Sequence, residues 1–149
     1  MKTEPELQVD TMQLADQKTL IFAWLDDLRT PGLKQTRGRL EDEDGNCCLG
    51  RLCRVYMQSH DDLVAVNRLV GGVEFVDPVG DRRSGSLPSN VKGAVRMWSE
   101  SGGFKRHSLA AINDAGQTFP DIADIIEKNA ESLFENGYEV AQWIRERKQ

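Results

Sequence analysis

Apolar residues recur at helical spacing in three stretches of the chain. Leu20, Ile21, Trp24, Leu25 and Leu28 fall three and four residues apart, the spacing of one face of a helix. Asp16 precedes them as the expected cap. Thr30-Pro31-Gly32 ends the pattern, because a residue before proline is kept out of the α region. Residues 1–10 contain Pro5, show no period and read as a flexible tail. Leu33 to Leu40 reads as a short extended segment and EDEDGN, 41–46, as an exposed turn. A second helix is predicted from about Cys47, capped by Asn46, with Cys48, Leu49, Leu52, Cys53 and Tyr56 on one face.

Beyond it the period changes. Leu63 to Val70 and Val73 to Val76 are rich in β-branched residues and flank Gly71-Gly72, which predicts a hairpin. Asp77 to Pro88 holds Gly, Pro and Ser and reads as a long loop, Val91 to Trp98 as a short helix, and Ser99 to Gly103 as a break. Ser108 should cap LAAINDA, and Gly116 should end it. Thr118 with Asp121 should open PDIADIIEKNAESLFE, with Pro120 in its first turn and Ile122, Ile125, Ile126, Leu133 and Phe134 buried. Asn136-Gly137 breaks that helix, and Tyr138, Val140, Trp143 and Ile144 predict a final docking helix. The expected fold is α+β: a single helix-rich domain over residues 11–149 with a small β-hairpin or sheet and a C-terminal helical hairpin. No internal repeat or domain-sized linker interrupts it.

Composition narrows the function. A 39% hydrophobic, 29% charged chain of 149 residues can bury a core and is not a disordered polyelectrolyte. No apolar run is long enough to span a membrane, and MKTEPELQVD lacks a signal peptide's apolar segment, so a cytoplasmic location is expected. Three cysteines cannot all pair within the chain, which makes reduced thiols the expectation. A net charge of −5 disfavours broad binding to a phosphate backbone and suits a basic protein partner.

The chemistry-bearing motifs are then tested against their geometry. EDEDG resembles a calcium loop, but with Gly45 at the glycine position the first ligand falls on Leu40 and the last on Arg51. NDAGQTF fails in the same way, with Ala111 at the first position. Cys47, Cys48, Cys53 and His60 do not form a zinc set, since adjacent helical residues point about 100° apart. Cys47, at a helix start, could be an activated thiolate with His60 or His107 as its base, and that reading stays open. LAAINDAGQTFPDIADIIEKN has a helix-turn-helix outline, yet the start of its second helix is acidic and would repel DNA. No P-loop, GxGxxG or HExxH is present, and no cofactor or metal is expected. The candidate binding residues are the acids Glu41, Asp42, Glu43 and Asp44 with Arg37 and Arg39 beside them. Arg37, Arg39, Arg82 and Arg83 could also form a local anion site.

RGRLEDEDGNCCLGRLCRV, 37–55, followed by HSLAAINDAGQTFPDIADIIEKN, 107–129, resembles small proteins encoded by tailed bacteriophages and prophages. The shared pattern is an arginine-glycine strand, a cysteine-cysteine-leucine-glycine helix start, and a leucine-alanine, asparagine-aspartate, threonine-phenylalanine, isoleucine-alanine-aspartate block. Leu87-Pro88 before a helix ending at Trp98 also fits, over about residues 20–128 in all. Asp61 to Gly85 departs most. The resemblance implies a phage protein acting in the host cytoplasm and carries no catalytic residues. The expectation is a non-enzymatic protein that binds a host protein, for instance to inhibit an antiviral defence such as a CRISPR effector. A thiol-dependent enzyme using Cys47 and a small-ligand or nucleotide-signal binder are the alternatives.

Overall fold

The computed structural model describes residues 4–68 and 70–149, with side chains from residue 11 onward. Helix α1, Glu4–Leu28, is the central element, and α2, Cys48–Ser59, packs along it. Leu20, Ile21, Trp24, Leu25 and Leu28 are buried as their spacing predicts, and the Trp24 indole donates to the Cys48 carbonyl at 2.9 Å. Asp16 is not the cap. The helix begins well before it, because nothing after Pro5 breaks it and an early proline is tolerated in a first turn. Of the expected tail, residues 1–3 lie outside the described residues, while the backbone of residues 4–10 belongs to α1.

The acidic segment folds into a hairpin of β1, Glu41–Asp42, and β2, Gly45–Asn46. The cap of α2 is Cys47 rather than Asn46: its Sγ accepts from the Gly50 N–H at 3.4 Å. Asn46 is taken up by β2, and its side chain is held by Glu41 and Arg51. The expected hairpin forms from β3, Val64–Asn67, and β4, Val73–Val76. A third strand, β5, Arg82–Arg83, joins β4 inside what the sequence reads as loop. Two residues are too few to show a period.

Helix α3, Ser89–Val95, stops at Arg96, whose φ of 59° closes it earlier than the expected Trp98. A two-residue hairpin, β6 (Gly103–Phe104) and β7 (His107–Ser108), leads into α4, Leu109–Asp114, capped by Ser108. Thr118 caps α5, Phe119–Lys128, as expected. The continuous helix through residue 135 does not form. Asn129 leaves helical geometry and its side chain bonds the Ile125 carbonyl, so the chain restarts as α6, Ala130–Leu133. Helix α7, Gly137–Arg147, packs back on α6 with Val140 and Ile144 buried, but Tyr138 is exposed rather than docked. One continuous apolar core joins all these helices with Phe75 of β4. The architecture is a helix-rich α+β domain, as expected. No helix among the described residues is long and apolar enough to cross a membrane.

Candidate functional site

The four consecutive acids do not act alike. Glu41 faces the core side of its hairpin, where Arg54 from α2 makes a two-pronged pair with it, at 2.7 Å through Nε. Burial pushes the Glu41 carboxyl up, but the hydrogen bonds from Arg54 and Asn46 outweigh that and hold it below its ordinary value. Asp42 accepts from the Thr36 hydroxyl at 2.8 Å and from the Asp44 N–H at 2.9 Å, which shapes the turn. Only Glu43 and Asp44 project fully into solvent. The expectation of one exposed acidic turn is therefore corrected: Arg54 is far enough along the sequence to be overlooked, yet α2 brings it under β1.

A second turn is pressed against the first. Gly72, at φ 79°, lies so close to β1 that a Cβ there would stand 2.4 Å from the Glu41 carbonyl oxygen. Between the two turns is a cleft of about 460 Å³, with Glu43 and Asp44 on one wall, Arg68 and Val70 on the other, and Arg39 also lining it. Val70 is 87% exposed, a large apolar side chain at a loop tip beside two free carboxylates. The structure thus brings five of the six candidate binding residues to one cleft and adds Arg68 and Val70. Arg37 is elsewhere, its guanidinium against Gly116 beyond α4. The sequence does hold a signal for the addition, since a Gly-Gly turn between β-branched runs marks a hairpin tip.

Of the four arginines of the possible anion site, Arg83 is engaged by Asp81 at 2.7 Å and by Glu100 at 3.0 Å. The Leu40 N–H donates to the Ser84 carbonyl, so the segments that carry Arg39 and Arg83 run side by side, while Arg37 turns away to Gly116.

The three thiols are buried and unpaired. Burial raises all three, Cys48 and Cys53 well above the ordinary thiol value. Cys47 additionally spends its sulfur on the α2 cap, whose N–H donation only partly offsets its burial. His60 stacks on Tyr56 with ring centroids 4.1 Å apart and lies 3.1 Å from Asp16, while His107 is tilted against Phe104. Neither histidine is engaged with Cys47. No group of three or more His, Cys, Asp or Glu is arranged to hold a metal among the described residues.

Two features escape the sequence reading. Asn113, fully buried, accepts from the Cys48 N–H at 3.1 Å and from Gln35 at 2.7 Å, and donates to the Thr36 carbonyl at 2.8 Å. It ties the start of α2 to the segment that leads into the acidic hairpin. The second is a cleft of about 700 Å³ among α1, α2, α3 and α7, where Asp16, Asp62, Glu135 and Glu139 face a single guanidinium, Arg96. Tyr56 lines it too; burial, and its 2.6 Å bond to Asp62, raise the phenol above its ordinary value. Such a lining favours cations over anions. Its residues come from separate elements, Glu135 from the turn before α7 and Glu139 from the first turn of α7, so no periodic signal marks it.

No curated protein and no solved structure matches the chain. The sequence model of one domain family does, across residues 17–130, which takes in both hairpins, all three cysteines and Asn113. The chain belongs to that family, a domain of unknown function designated DUF8296.

Proposed function

We propose that this chain is a phage-encoded, non-enzymatic binding protein that engages a basic surface of a host protein, such as a nucleic-acid-binding defence effector. The observation that carries the reading is the tip of the two abutting hairpins, where Glu43, Asp44 and Val70 stand exposed on a scaffold fixed by Glu41–Arg54 and Gly72. Fixed backbone lowers the ordering cost of association, and two unpaired carboxylates beside an apolar anchor favour a cationic, partly apolar counterpart. The phage-like sequence pattern and the net charge of −5 point the same way. Burial of Cys47 weighs against the thiol-enzyme alternative, since thiolate formation is disfavoured there.

The test starts from affinity capture of a partner from host lysate, followed by association kinetics with purified components. Glu43→Gln with Asp44→Asn should leave the melting temperature within about a degree, because neither side chain makes an ion pair or a tertiary hydrogen bond among the described residues. The association rate should fall by roughly three- to tenfold, and the salt dependence should flatten. Val70→Ser should speed dissociation instead. Parental association and dissociation rates in both variants would refute this surface.

A further inference from the structure

The three-stranded sheet has the order β3-β4-β5, so β3 is an edge. Its hydrogen-bond phase follows from the hairpin. The Arg68 N–H donates to the Gly72 carbonyl at 2.9 Å, and the register continues through Val66↔Glu74 and Val64↔Val76. Alternation in an antiparallel pair then turns the backbone groups of Val64, Val66 and Arg68 toward β4. Those of Leu63, Ala65 and Asn67 point away from it, and no strand among the described residues pairs there. The usual protections of an open edge, a proline, a lysine or a bulge, are missing from Val64–Asn67. Val64 is 57% exposed.

We infer that this edge pairs with β3 of a second copy of the chain, antiparallel and two-fold symmetric about Ala65, to make a continuous six-stranded sheet. The strand is its own complement about that residue. Reading outward from Ala65, valines stand on both sides, and Asp62 and Arg68 occupy equivalent places at the two ends. In the pairing, Ala65 opposes Ala65 of the second copy, and Leu63 opposes Asn67, so all three outward-turned backbone positions find partners. Val64 faces Val66 of the second copy on the solvent side, a close apolar pair. At each end Asp62, which also accepts from the Tyr56 hydroxyl at 2.6 Å, comes opposite Arg68 of the second copy, which also pairs with Glu74 of its own hairpin at 2.7 Å. Moving the register by two residues in either direction separates these charges from each other. A self-complementary patch of this kind closes at two copies rather than propagating, and a pairing this short makes a weak dimer.

Sedimentation velocity on the full chain, from low micromolar to several hundred micromolar, should show a rise from monomer toward dimer. Val64→Lys, at an exposed position, should keep the melting temperature and weaken self-association by about tenfold or more. Asp62→Arg and Arg68→Asp should each be monomeric, because each homodimer would set like charges opposite one another twice. An equimolar mixture of the two should recover dimer, since both ends are then matched. A folded parent that stays monomeric throughout the range overturns the inference. A dimer indifferent to Val64→Lys does so as well, as does a mixture that remains monomeric.

Discussion

Replacing Asn113 by alanine tests how the region under the acidic hairpin is held. The side chain is fully buried, and its amide satisfies two backbone groups with no other partner nearby: the Cys48 N–H, one of the unbonded donors at the start of α2, and the Thr36 carbonyl, in a residue only 7% exposed. Gln35 also loses a bond, but it keeps one to the Gln117 carbonyl at 2.8 Å and is not counted. A buried polar group left without a partner costs about 1–3 kcal/mol, so two of them give roughly 2–6 kcal/mol for Asn113→Ala. At about 3 °C per kcal/mol for a chain of this length, that lowers the melting temperature by about 6–18 °C. Differential scanning calorimetry measures it directly. Asn113→Asp sharpens the test. It retains the acceptor for Cys48 but turns a second oxygen, not an N–H, toward the Thr36 carbonyl. That variant should be destabilised at neutral pH and regain part of the loss in acid, when a protonated carboxyl can donate. Asn113→Ala melting within a degree or two of the parent would refute the assignment of these bonds.

Gly50→Ala makes a prediction of sign. Alanine is favoured over glycine in a helix by about 1 kcal/mol, so on propensity alone the variant gains stability. Here a Cβ would stand 1.8 Å from the Leu40 carbonyl oxygen, backbone that also accepts from the Cys47 N–H. The expected result is a loss of about 3 kcal/mol or more in urea denaturation, and any gain would contradict the packing. Glu41→Gln should cost about 1–2 kcal/mol at neutral pH by leaving Arg54 without its carboxylate. Because the folded-state pKa of Glu41 lies below its unfolded value, the ionised side chain stabilises the fold above about pH 4.3. That contribution is lost as pH falls through the lowered value. The gap between parent and Glu41→Gln should therefore be full near pH 7 and close in acid; a gap independent of pH would remove the ion pair from the account.

Which parts of this were legible in the sequence follows from how local their causes are. The apolar faces of α1 and α2 repeat every three or four residues and could be read directly, as could the Ser108 and Thr118 caps, which act within three residues of themselves. The Cys47 cap was not legible. Asparagine is the stronger capping residue by chemistry, and only the nonlocal bond from Asn46 to Glu41 removes it from that role. The same holds for the acids. Four like charges in series look solvated until Arg54 and Thr36 are placed beside two of them. Asn113 sat inside a motif, but its partners at Gln35, Thr36 and Cys48 meet only in the folded chain.

The extent of the family match bears on which of the two clefts to pursue. The larger, acidic one is assembled from Asp16, Glu135 and Glu139 as well as Asp62, and the first three fall outside residues 17–130. The hairpin cleft draws every one of its lining residues from inside that span. So do its supports: Arg54 beneath Glu41, Gly50 beneath Leu40 and Asn113 beneath Thr36. The paired turns thus lie wholly within the segment that the family shares, while the larger cleft takes part of its charge from α7 and from α1 ahead of that segment. The smaller cleft is accordingly the one to which the proposed binding is assigned, and Glu43, Asp44 and Val70 are the side chains on which it is tested.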